Sequence, residues 1–190
     1  MKLSNNKVGT DEKEDILLAQ KDKRHFGKLY ERYYEQVFRY IDRRVSNIQL
    51  AEEVCSSVFF KALNKIDTYE YRGYAFSSWL YRIAYNEINL YYRSNNTKRV
   101  VYVESAEELN LKESFQSTDD HENNQVLLDE MIKQLDGLNE KDLALMEMFF
   151  FEGMSHREIS EILNISEGNA KVKVHRIKDR IRKKIENKSS

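Results

Sequence analysis

Not one proline interrupts the 190 residues of this chain, and only 6 are glycine. Proline removes a backbone donor and clashes with the preceding helical turn, while glycine supplies the positive-φ turns of tight β-hairpins. A chain so poor in both favours helices over turn-rich β architectures. Hydrophobic residues make up 41% and charged residues 33%, enough apolar material for a core and enough charge to coat it. The length suits one medium domain or two small ones.

The apolar pattern predicts where the helices lie. Thr10 or Asp11 can cap a short helix over about residues 11–20, with Ile16, Leu17 and Leu18 as its apolar part. A second helix over 24–45 carries Phe26, Tyr30, Tyr33, Val37 and Ile41 three or four apart. A third, over 49–66, places Leu50, Val54, Val58 and Ala62 on one stripe, widened by Ala51, Cys55 and Phe59. A fourth, over 76–93, repeats the pattern with Phe76, Leu80, Ala84 and Ile88. The period then stops. Residues 97–124 read as an extended, flexible linker, and it returns from Gln125, with helices expected over 126–135 and 140–151.

Net charge is only −1, but the charge is segregated. Residues 21–99 hold 15 Lys/Arg against 9 Asp/Glu, residues 104–130 hold 1 against 9, and residues 171–188 hold 9 against 2. Two basic lobes joined by an acidic strip point to a polyanionic partner more clearly than the total does. The fold expected is all-α: two small helical domains, 10–96 and 125–186, joined by the flexible acidic linker.

The second lobe carries a helix-turn-helix pattern. Ser155 can cap a helix, with Glu158 three residues on in the capping-box position. Asn164 can take a positive-φ turn, and Ser166 caps a second helix whose inner edge is Ala170, Val174, Ile177 and Ile181. Asn169, Lys171, Val172, Lys173, His175, Arg176 and Lys178 are left facing outward to varying degrees, as a major-groove helix requires. A solvated amphipathic helix at a chain end would explain the basic residues alone. The ordered succession of cap, short helix, turn, cap and basic helix favours the DNA reading.

Nine aromatic residues lie between Tyr69 and Tyr92, interleaved with Arg72, Arg82 and Arg93. Phe76 sits on the core stripe and Trp79 can join it, while the others look too numerous for one helix to bury. Aromatic faces beside arginines form a platform for unpaired bases, although ordinary core and surface tyrosines fit the composition equally well.

The segments AEEVCSSVFFKAL, YRGYAFSSWLYRIAYN and GMSHREISEILNISEGNAKVKVHRIKDRIRKKI together resemble a sigma-70 family sigma factor of the compact extracytoplasmic-function (ECF) type. The resemblance covers about residues 11–96 and 125–186. It implies a non-enzymatic protein that binds core RNA polymerase and directs promoter-specific initiation. It implies that Tyr71, Arg72, Trp79, Arg82 and Asn86 hold the −10 element as single-stranded DNA, with a flipped base in the loop 66–75. It implies that Asn169, Lys171, Val172, Lys173, His175 and Arg176 contact the −35 duplex. It further implies that Glu53, Ser56, Ser57, Phe60 and Lys61 dock on the polymerase β′ coiled coil, and that the run 146–151 seats the β flap. An anti-sigma factor or an additional recruiting factor is a further partner it allows.

The sequence departs from the family pattern in places. The docking motif Asp-x-x-Gln-Glu reads Glu53-Val54-Cys55-Ser56-Ser57, an Asp is replaced by Leu90, a Ser by Val172 and a Pro by Asn139. Basic positions near Tyr85 and Glu87 have lost their charge. These changes suggest weak promoter binding alone and placement by another factor.

Other classes fit less. An ordinary helix-turn-helix regulator with an all-α sensor domain explains the C-terminus but leaves the aromatic segment as accident. Cys55 lies on an apolar stripe, and His25, His121, His156 and His175 lack metal-ligand spacing. No phosphate loop occurs, and no cofactor is expected. The single cysteine and the lack of an apolar leader or span lead us to expect a cytoplasmic protein without membrane insertion.

Overall fold

A computed structural model describes residues 11–71, 74–95, 133, 135 and 138–186. Every regular element among them is a helix, and the chain divides into two compact units, Met1–Arg99 and Val100–Ser190. The acidic linker expected over 97–124, and most of the helix expected over 126–135, lie outside the described residues.

The N-terminal unit contains α1 (Asp11–Lys21), a 3-10 turn (Lys23–His25), α2 (Phe26–Asp42), α3 (Ile48–Lys65), a second 3-10 turn (Ile66–Thr68) and α4 (Phe76–Asn95). Helices α2, α3 and α4 pack on one another, and α1 lies against α2. Asp22 accepts from the Arg24 amide at 3.0 Å to cap the first 3-10 turn, and Asn47 accepts from the Leu50 amide at 2.8 Å to start α3. The stretch expected as one helix over 24–45 is therefore a 3-10 turn followed by a shorter α-helix. Asp11 opens α1 as its first residue, and Thr10 lies outside the described residues.

Phe26, Leu29, Tyr33, Val37, Tyr40 and Ile41 form the buried face of α2. Tyr30, expected on this stripe, is 41% exposed. The buried stripe runs through Leu29 instead, one position round the helix, while the Tyr30 ring lies edge-on to Phe59 at 4.7 Å. Phe76, Leu80, Ala84 and Ile88 all reach the core as the period predicts. So do Tyr81 and Tyr85. The expectation that α4 carries too many aromatics to bury is thus corrected in part. Because α4 packs against both α2 and α3, it buries a wide face, and Tyr81 meets Tyr40 edge-on at 4.7 Å.

The C-terminal unit contains α5 (Glu140–Phe150), α6 (His156–Leu163) and α7 (Glu167–Glu186), each packed against the other two. Asn139 caps α5 by accepting from the Asp142 amide at 3.1 Å. Leu143 through Met148 are buried without interruption, so α5 is covered on nearly all sides. Gly153 turns the chain between α5 and α6 at a φ of 62°, a conformation that glycine adopts without a Cβ clash.

Candidate nucleic-acid interface

The helix-turn-helix forms through the local hydrogen bonds its sequence predicts. Ser155 Oγ accepts from the Glu158 amide at 3.3 Å, and Glu158 Oε2 accepts from the Ser155 amide at 2.9 Å. Asn164 adopts φ 53° and ψ 54°, the left-handed conformation that ends α6. The Ile165 amide then donates to the Ser160 carbonyl at 3.0 Å, and Ser166 Oγ accepts from the Asn169 amide at 3.2 Å to start α7. Ala170, Val174 and Ile177 are buried, so α7 is held by one edge.

The opposite edge holds the residues expected on duplex DNA. Asn169, Lys171, Val172, His175 and Arg176 are exposed and Lys173 is half-buried. Val172 and Lys173 each lie three or four residues from both Asn169 and Arg176, which groups the four on a single face. Two of the six are already engaged. Lys173 Nζ is ion-paired with Asp142 on α5, and His175 Nδ1 lies 2.9 Å from Asp179 Oδ2 one turn on. Burial pushes the Asp142 carboxyl up, but its hydrogen bonds to Lys173 and Asn139 outweigh this and hold it below the ordinary value. On α5, the half-buried Phe149 ring lies 5.3 Å from the His156 ring and 5.8 Å from Lys178 Nζ.

In the N-terminal unit, Trp79, Arg82 and Asn86 lie three and four residues apart on α4 and so share a face. Trp79 and Arg82 are half-buried and Asn86 is exposed. The Trp79 ring packs against Phe76 at 5.2 Å and against Tyr69 at 4.9 Å. Tyr69 is held by its backbone, because Gln20 Nε2 donates to its carbonyl at 2.7 Å and to that of Ile66 at 3.1 Å. Burial pushes the Tyr69 phenol up to about 12. Two residues later Tyr71 is 51% exposed, a large aromatic left on the surface next to this cluster. Arg72 lies outside the described residues.

Sequence reasoning missed the group that organises this end of α4. Glu12 is 4% exposed. Its Oε1 accepts from the Tyr33 hydroxyl at 2.5 Å and from the Phe76 amide at 2.7 Å. The first amides of a helix lack intrahelical partners and carry partial positive charge, so a carboxylate there is favourable. Burial, and then the Glu12 hydrogen bond, push the Tyr33 phenol far above its ordinary value. Asp15, also buried, pairs with Arg32 at 2.5 Å and Lys28 at 3.7 Å. Arg44 is 1% exposed, with its guanidinium 3.6 Å above the Tyr40 ring and Nη1 donating to the Tyr40 carbonyl at 2.6 Å. A lone carboxylate or arginine in an amphipathic helix carries no sequence mark that separates it from solvated charge.

The residues expected to dock on polymerase do not form one exposed row. Glu53, Ser56 and Phe60 are exposed on α3, Phe60 by 65%. Ser57 and Lys61 turn toward α4, where Ser57 Oγ donates to Glu87 Oε2 at 2.9 Å and Lys61 Nζ lies 2.5 Å from the same oxygen. Leu90, in place of the family's acidic residue, is 60% exposed one turn beyond Glu87. Cys55 is buried, and its thiol is pushed up to about 11 by that burial, the opposite of an activated nucleophile.

Residues 29–98 match the family model of Sigma-70 region 2, and residues 128–181 that of Sigma-70 region 4. The chain belongs to the sigma-70 family. Among curated proteins it is 31% identical to the ECF RNA polymerase sigma factor BldN of Streptomyces coelicolor, over 80% of this chain and 56% of BldN. It therefore spans little more than half of that relative. It is 24% identical to the RNA polymerase sigma factor YlaC of Bacillus subtilis, over 83% of this chain and 90% of YlaC. Among solved structures, RpoE of Bartonella quintana, determined with the anti-sigma factor NepR, shares the fold. The TM-score is 0.58 at 19% identity, over 83% of this chain and 94% of that one. Membership places the chain in a family of transcription initiation factors. No helix among the described residues is long and apolar enough to cross a membrane.

Proposed function

We propose that each unit takes one promoter element while the chain rides on core RNA polymerase. The domain limits of this reading are 10–96, a linker over 97–124, and 125–186. The α4 face of Trp79, Arg82 and Asn86, with Tyr71 and Arg72 from the preceding loop, binds the −10 strand unpaired. Stacking a base on such an aromatic surface contributes about 1–3 kcal/mol, which offsets much of the cost of extruding it from the duplex. The face of α7 formed by Asn169, Lys171, Val172, Lys173, His175 and Arg176 enters the major groove at −35.

The observation that carries this reading is the joining of a region 2 match to a region 4 match in one chain. An ordinary helix-turn-helix regulator has no use for the first. Transcription by core polymerase from a pool of promoter fragments, with and without the purified chain, tests it. Specific initiation that depends on the chain supports the reading, and duplex binding without any effect on polymerase overturns it.

Docking on the β′ coiled coil falls to Glu53, Ser56 and Phe60, because Ser57 and Lys61 are engaged with Glu87. The smaller polar contact supports weak docking and placement by an additional recruiting factor. Of the run 146–151 expected to seat the β flap, Phe149 and Phe151 are half-buried and Met146, Met148 and Phe150 belong to the core, so the two half-buried rings are the seat. The fold shared with RpoE supports an anti-sigma factor as a further partner. This reading places the chain in the cytoplasm, needs no cofactor and assigns no enzymatic step.

A further inference from the structure

Val172 is 55% exposed, and among the described residues of the C-terminal unit no other large hydrophobic is exposed. It stands on the side of α7 opposite the buried edge. Ala170 and Val174, two positions to either side, are 0% and 3% exposed, and two residues of α-helix rotate a side chain by about 200°. Asn169 lies one turn before it and Arg176 one turn after, both exposed on the same face. The fold gives no reason for an apolar residue there. Valine contributes nothing to the core from this position, and it is a weaker helix former than lysine, arginine or glutamine.

We propose that Val172 is a specificity determinant that packs against the C5-methyl group of one thymine in the −35 element. This deepens the reading of α7 as the major-groove helix and rests on it. Among the base edges in that groove, the thymine methyl is the one apolar group. A β-branched side chain in a helix keeps essentially one χ1 rotamer, so its two methyl groups are held outward without further ordering. Valine can neither donate nor accept a hydrogen bond, so it selects by shielding the methyl from water. Asn169 and Arg176, a turn away on each side, hydrogen-bond the flanking base edges and set the register.

The experiment uses holoenzyme assembled from core polymerase and the full chain. Its −35 element is selected from a randomised duplex, and each thymine is then replaced singly by deoxyuridine, which removes the methyl and leaves the pairing edge intact. One replacement should weaken binding by about fourfold, the value of one buried carbon, at fixed salt. Holoenzyme carrying Val172→Ser should bind the thymine and uracil duplexes equally. Val172 is solvent-facing, so this variant folds, which thermal unfolding checks. Selective binding with no uracil-sensitive position, or a selected element without thymine, overturns the inference and leaves α7 as the recognition helix. Sensitivity that persists in Val172→Ser overturns it as well. Loss of all sequence selectivity at −35 overturns both.

Discussion

Glu12 Oε1 lies 2.7 Å from the amide nitrogen of Phe76, so the first turn of α4 is capped by a side chain 64 residues earlier in the chain. The same oxygen accepts from Tyr33, which joins α1, α2 and α4 at one buried point. The Phe76 ring contacts Tyr33, Tyr69 and Trp79 at 5.6, 5.1 and 5.2 Å. A cap at Phe76 therefore sets the position of the aromatic cluster beneath the proposed −10 site.

Glu12→Ala should lower the stability of the N-terminal unit by about 2–3 kcal/mol, the value of a buried hydrogen bond to a charged group together with the donors it leaves unpaired. Glu12→Gln keeps an acceptor oxygen and should lose less than half of that. Urea unfolding of both variants measures the difference. Equal loss in the two would show that charge, and not the hydrogen bond, is what α4 requires.

Alkaline stability follows from two phenols, Tyr33 buried and Tyr69 half-buried. Burial raises Tyr33, whose bond to Glu12 raises it further, and burial pushes Tyr69 up to about 12. Unfolded tyrosines titrate near pH 10, so the folded state holds these protons more tightly. The contribution is complete below pH ~10 and is lost as pH rises through the folded values. Trp79, the single tryptophan and 4.9 Å from Tyr69, reports the transition by its fluorescence. Unfolding free energy that stays level from pH ~9 to ~12 would contradict this.

Asp142 gives the opposite sign for the C-terminal unit. Its carboxyl is held below its ordinary value by Lys173 and Asn139 against the effect of burial. The stability it contributes is present above the unfolded carboxylate value and lost as pH falls through the folded one. Asp142→Asn should flatten that acid limb and cost about 0.5–1 kcal/mol at neutral pH, since the pair with Lys173 is partly solvated. It also releases Lys173 for a phosphate. The slope of log affinity against log salt should steepen by about 0.9, which a salt titration on nonspecific duplex would detect.

Arg176→Ala and Lys171→Ala separate base reading from phosphate contact on α7. If Arg176 reads a guanine, its loss should cost about 1–3 kcal/mol and relax preference at one position. Loss of Lys171 should weaken all sequences about equally. Binding of each variant to a randomised −35 library compares them, and an unchanged preference profile for Arg176→Ala would make it a backbone contact.

Gly27 sits in the first turn of α2, and a Cβ built there meets nothing within 4 Å. Gly27→Ala should therefore stabilise the N-terminal unit by about 0.4–1 kcal/mol through the unfolded chain's lost freedom. A thermal midpoint that falls would show that the turn needs glycine's freedom.

The sequence by itself determined most of the described helices, most of their apolar stripes and the local hydrogen bonds of the helix-turn-helix, because those rest on neighbours along the chain; Leu17 and Tyr30, expected on apolar stripes, are exposed. Ser155 with Glu158, Asn164 with Ser160, and Ser166 with Asn169 each close within four residues, a distance that spacing alone can specify. Only the tertiary structure decided which charges stop being surface. Glu12 with Phe76, Ser57 and Lys61 with Glu87, and Lys173 with Asp142 join residues 26 to 64 positions apart. Periodicity marks the apolar face of each helix but not which helix it meets. A polar residue at the edge of that face is thus solvated or paired according to packing alone.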